Sequence, residues 1–141
     1  MNLRYSMLCF VVLLLETCVL SGEKQTHDKA LEFSLSEVLL EENTVSVDLQ
    51  EFVSFAWEEA YLLTPYIPVA SVRDITGDDT YEDKSYLDRR DDIYVLVFLT
   101  EQDVTHYVEL PSSVGITTVD VDREEPITPN NDTLSFKPYP N

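Results

Sequence analysis

Carboxylates are the groups in this chain most able to do chemistry. Asp and Glu number 27 against nine Lys and Arg, which sets the formal charge at −18. Oxygen donors in that density suit a hard cation such as calcium, which takes roughly six to eight of them. Two stretches offer acids at short spacing. One holds Asp78, Asp79, Glu82 and Asp83, with Asp74 just upstream; the other holds Asp120, Asp122, Glu124 and Glu125. Neither has the alternating acids, central glycine and closing glutamate of an EF-hand loop. Lys84, Arg89 and Arg90 share the run 78–92 with most of the first set, so local ion pairing competes with metal binding there.

Catalytic constellations are hard to assemble. The histidines are His27 and His106. His27 sits in a polar stretch that reads as flexible, a poor mount for a general base. His106 falls within an alternating apolar segment and reads as a packed strand residue. There is no Gly-x-Ser-x-Gly, no His-Glu-x-x-His and no glycine-rich phosphate loop. Trp57 followed by Glu58 and Glu59 admits a carboxylate-based glycan hydrolase with a stacking platform. The simpler reading is a core tryptophan beside solvated glutamates. The expectation is therefore no enzyme, no catalytic residue and no cofactor.

Tyrosines suggest recognition instead, because tyrosine is enriched at protein interfaces. Tyr81 and Tyr86 lie in the acidic run 78–92, where a side chain would be exposed, and Trp57 and Tyr66 lie nearby in sequence. These four are the candidate binding residues. A negative field disfavours nucleic acid and anionic lipid and favours a basic protein or an envelope component.

The elements that would position these residues begin after an export address. Arg4 precedes an apolar run from Met7 to Leu15, and the small residues Ser21 and Gly22 follow. That order matches a secretory signal peptide over 1–21. The run is too short to cross a bilayer, which needs roughly 20 residues. Cleavage there removes both cysteines, Cys9 and Cys18, and with them any disulfide or thiolate site. Cys18 leaves a second route open. A leucine three residues before it fits lipoprotein processing, although Glu16 and Thr17 fit it poorly. A lipid on Cys18 would be the one tie to a membrane. The expected location is outside the cytoplasm, secreted or anchored at the envelope.

Residues 22–30 read as a flexible leader and 31–141 as one domain of ordinary size. Ser34 and Glu37 suggest a capping box opening a short helix that carries Val38, Leu39 and Leu40. Val45, Val47 and Leu49 alternate with polar residues as an extended piece. Pro65 turns the reading of 57–64 towards a strand. Pro68, with Val69, Val72 and Ile75 on one face and Gly77 at the end, predicts a second helix. Residues 78–92 read as a charged surface loop. Ile93–Leu99 is apolar throughout and predicts a strand covered on both faces. Val104, His106, Val108 and Leu110 alternate and complete a hairpin. Residues 112–130 read as loop with a short strand near 116–121, and 133–137 as an edge strand. Asn131-Asp132-Thr133 is a glycosylation sequon. The sum is an α+β domain, an antiparallel sheet of about four strands with two short helices on one face.

Phe55, Trp57, Glu58, Tyr61, Pro65 and Tyr66, then Val97-Phe98, then Tyr107 to Pro111 resemble the pattern of a family of small, uncharacterised, exported bacterial proteins. Members of that family often look lipid-anchored, so the resemblance implies an envelope location and adds weight to Cys18. It implies no activity. The functional expectation is an exported acidic binding domain, with a calcium-binding module as the alternative and a glycan hydrolase behind it.

Overall fold

The computed structural model describes residues 25–41, 44, 46–117 and 125–140. Residues 1–21, expected to be an export signal, lie outside the described residues with Cys18, as do Asp120, Asp122 and Glu124. In chain order the elements are β1 (Thr26–His27), α1 (Lys29–Leu39), β2 (Ser46–Asp48), β3 (Glu59–Leu63), α2 (Val69–Thr76), β4 (Ile93–Thr100), β5 (Asp103–Pro111), β6 (Ile116–Thr117) and β7 (Thr133–Lys137). They form a four-stranded sheet in the order β1-β5-β4-β3 and a three-stranded sheet in the order β2-β7-β6. The fold class is α+β. Among the described residues, no helix is long and apolar enough to cross a membrane.

β4 is buried from Ile93 to Leu99 and pairs antiparallel with β3 and β5. A two-residue turn, Glu101–Gln102, joins it to β5, with both residues at positive φ (52° and 67°). That is the sense of turn that matches strand twist. Phe98 pairs with His106 and Leu99 with Val104, so Thr105 is an extra residue, a bulge that switches which face the side chains of β5 meet.

Because β4 is apolar on both faces, both faces need cover. Leu96 and Phe98 on one face join Leu31, Leu35 and Leu39 of α1, Val108 and Leu110 of β5, and Leu134 and Phe136 of β7. Val95, Val97 and Leu99 on the other join Val72 of α2, Val104, Tyr81 and Leu87. The helices thus cover opposite faces, not one. Each fully buried side chain of this size stabilises by about 1.5–3 kcal/mol relative to exposure, so neither layer is dispensable.

Three further expectations are corrected. The described part of the leader, residues 25–30, is built into the fold. Thr26 and His27 pair in parallel with His106 and Tyr107, and the Asp28 N–H donates to the Tyr107 carbonyl at 3.1 Å. α1 starts at Lys29, not at Ser34. The Asp28 carboxylate accepts from the Leu31 N–H at 2.9 Å and caps the helix, while the Ser34 hydroxyl bonds the Ala30 carbonyl in its interior. β7 is the central strand of its sheet, not an edge, because β2 and β6 flank it.

Other elements match their local signals. Pro68 caps α2, and Gly77 ends it in the left-handed conformation at φ 77°, its N–H bonded to the Arg73 carbonyl. β3 runs over Glu59–Leu63, inside the expected strand. Gly115 has a different reason for being glycine: at φ 129° a Cβ there would collide with the Lys137 carbonyl oxygen.

His106 is a half-buried strand residue, flanked by Phe98 of β4 and Thr26 of β1. Its ring lies flat on Phe55, centroids 3.7 Å apart and planes 4° from parallel. Burial pushes its pKa below the ordinary histidine value, with Asp28 opposing. The unfolded chain therefore binds a proton at His106 at a higher pH than the native one does, so this residue makes stability fall as pH drops through the ordinary histidine range. His106→Phe keeps the stacked ring and removes the proton site. Urea unfolding from pH 7.5 to 5 should show a shallower loss of stability in the variant than in the wild type; parallel pH profiles would contradict this.

Candidate functional site

The run from Asp78 to Asp92 contains no strand or α-helix, only the short 3-10 turn Leu87–Arg89. It is nonetheless pinned at many points. Tyr81 and Leu87 insert into the α2-side core, at 4% and 1% exposure. The Arg73 guanidinium donates from Nε and Nη2 to the Tyr81 carbonyl at 3.1 and 2.9 Å. Burial, reinforced by Asp83, pushes the Tyr81 phenol far above its usual range, so it stays neutral. The exposed-loop expectation for Tyr81 is thus corrected, because an apolar slot beside Val72 takes its ring.

Of the four acids read as calcium ligands, Asp78 and Asp83 act on the backbone. Asp78 is buried: Oδ1 accepts from the Thr80 N–H at 2.9 Å and hydroxyl at 2.7 Å, and Oδ2 accepts from the Val104 N–H at 3.0 Å. One side chain thereby ties the loop to the start of β5. Asp83 accepts from the Ser85 and Asp88 N–H groups, each at 3.1 Å. Asp79 and Glu82 are exposed. Among the described residues, the one group of three or more acid, histidine or cysteine side chains close enough to share an ion contains none of these four.

Tyr66 and Tyr86 have the opposite fate to Tyr81. They are 59% and 66% exposed, and both sit in the left-handed region at φ 64° and 56°. For bulky side chains that conformation costs about 1–2 kcal/mol each. The Tyr66 N–H donates to the Leu87 carbonyl at 2.9 Å, so the two tyrosine backbones lie side by side, linked through the residue after Tyr86. The charge of Asp91 pushes the Tyr66 phenol upward, so it too stays neutral. Around them stand the exposed acids Asp88 and Asp91. Asp92 is taken by Arg90, whose Nε and Nη2 each lie 2.8 Å from its oxygens.

Trp57 is buried edge-on to Phe98, ring centroids 5.5 Å apart. It is therefore not a binding platform. Glu58 is exposed, and Glu59 accepts weakly from the Tyr61 hydroxyl at 3.4 Å.

A second constellation was not visible in sequence. His27 of β1 lies 2.6 Å from Glu32 of α1 (Nε2 to Oε1), and the same Glu32 oxygen accepts the Glu109 N–H of β5 at 2.6 Å. The signal lay in the cap. With Asp28 as N-cap, His27 and Glu32 occupy N′ and N4, the positions that meet across a helix start. Reading the helix from Ser34 hid that pairing.

No family model, curated protein or solved structure matches this chain.

Asp78 should be a structural anchor and Asp79 a bystander. Asp78→Ala strands the buried Val104 N–H and releases both Thr80 donors, and thermal or urea unfolding should show a loss of about 1–3 kcal/mol. Asp79→Ala should change stability by less than about 0.5 kcal/mol. Equal effects of the two substitutions would contradict the assignment.

Proposed function

We propose that the protein is an exported, acidic binding domain without catalytic machinery, and that Tyr66 and Tyr86 form its contact surface for a basic segment of a secreted or envelope protein. The observation carrying this reading is the pair of exposed tyrosines held in left-handed backbone and linked through the Tyr66–Leu87 hydrogen bond. Strain of this kind concentrates at ligand clamps. It persists here because Tyr81, Leu87 and the Asp83 carboxylate over-determine the loop between and around the pair.

Chemistry favours a cationic partner. Tyrosine supplies a large, stiff contact area with a polar tip, and its ring face attracts Lys and Arg. Asp88 and Asp91 flank the pair, and the chain's charge of −18 would steer a basic partner inward. The acidic run supports this reading differently from the way its sequence suggested. It is a rigid mount with one exposed tyrosine of its own, and Tyr66 supplies the second. The resemblance to exported, often lipid-anchored bacterial proteins would put such a partner at the envelope.

Tyr66→Asn with Tyr86→Asn tests the reading, because asparagine tolerates the left-handed backbone. Calorimetric titration with an Arg/Lys-rich peptide should show binding that weakens as salt rises. The double variant should lose at least about tenfold in affinity, equivalent to about 1.4 kcal/mol, with no loss of Tm. Equal peptide affinity in variant and wild type would refute the surface.

A further inference from the structure

One cluster in the molecule joins three different elements and has the donor set of a transition-metal site. We propose that His27, Glu32 and Glu109 bind a divalent first-row ion, zinc foremost. They come from β1, α1 and β5, and one ligand atom from each lies within 4.8 Å of the others. One imidazole with two carboxylates matches the nitrogen and oxygen donors that zinc accepts at three protein positions, leaving a fourth for water. Imidazole is a poor ligand for calcium or magnesium, which prefer all-oxygen shells.

The ligands are held in advance. The His27 ring stacks on Tyr107, centroids 4.5 Å apart and planes 24° from parallel. The Glu109 N–H fixes Glu32 from the strand side. Such outer contacts orient metal ligands in known sites. β1 and α1 are joined through the Asp28 cap, and β1 is hydrogen-bonded to β5, so the three side chains cannot drift apart independently.

Two of the three side chains are already hydrogen-bonded, His27 Nε2 to Glu32 Oε1 at 2.6 Å. A divalent ion would take the place of that hydrogen bond, and the two atoms would move apart by roughly 0.7 Å to hold bonds of about 2.0–2.1 Å at a tetrahedral angle. The nearby cations are loosely committed. Lys29 Nζ is 3.5 Å from Glu32 on a side chain 71% exposed, and Arg90 Nη1 is 3.9 Å from Glu109 while its main pairing is with Asp92. Either can turn away as the ion enters. Glu32 and Glu109 also line an open depression of about 530 Å³, together with Phe33 and Asp92, which gives solvent access to the fourth position.

Chelator-treated protein titrated with zinc chloride should bind one ion per chain, seen by calorimetry, and its Tm should rise. Calcium chloride at the same concentration should leave Tm unchanged. Glu109→Gln retains the backbone N–H that Glu32 accepts, so it should keep the metal-free Tm while weakening zinc at least tenfold. His27→Gln should weaken zinc as much, and zinc should shift the His27 ring ¹⁵N resonances in the wild type. Zinc affinity unchanged in both variants, no stoichiometric zinc binding, or an equal response to calcium would overturn the proposal.

Discussion

Burial of β4 on both faces is the constraint from which the architecture follows. A strand with no polar face cannot end a core; it must divide one. Leu96 and Phe98 therefore require α1 and the small sheet, while Val95, Val97 and Leu99 require α2 and whatever else can cover them. α2 is short and offers one fully buried apolar residue, Val72. The rest of that layer comes from an irregular segment through Tyr81 and Leu87. The acidic run is ordered because the sheet needs its aromatic and aliphatic side chains, and two of its carboxylates, Asp78 and Asp83, satisfy backbone donors near that layer.

The same logic explains where exposed chemistry remains. Once Tyr81, Leu87 and the Asp78 and Asp83 carboxylates are committed, the loop has few ways to relax. Tyr66 and Tyr86 are left outward on unfavourable backbone. At the edge of the four-stranded sheet, β1 is only two residues long. Glu32 satisfies the next outward N–H of β5, at Glu109, where a longer β1 would have done so. That edge repair brings a histidine and two glutamates together. Both candidate sites are thus by-products of completing hydrogen bonds and burial at the margins of the four-stranded sheet.

Local signals in the sequence were sufficient where the physics is local. Pro68 and Gly77 bounded α2, Ile93–Leu99 marked the doubly covered strand, and alternation at Val104–Leu110 marked its partner. The sequence admits Trp57 both as a core residue beside solvated glutamates and as a binding residue; it is buried, and only the first reading stands. The failures were non-local. β7 becomes central only by pairing with β2, more than 80 positions away, as the Thr133–Asp48 side-chain bond also shows. A lone tyrosine or leucine in a charged run carries no periodicity, so nothing local separates buried Tyr81 from exposed Tyr86. α1 was misplaced because a polar stretch resembles a leader when its capping aspartate is overlooked, and the His27–Glu32 pairing disappeared with it.

Native-state amide hydrogen exchange tests most directly whether β4 unites the two layers. The amides of Val95 to Leu99 should be the slowest in the protein and should exchange only through global unfolding. Truncation on either face, Leu35→Ala or Val72→Ala, should then lower their protection by the full loss in unfolding free energy. If β4 protection survived Val72→Ala unchanged while α2 and the acidic run opened independently, the second layer would be an appendage and this description of the fold would be wrong.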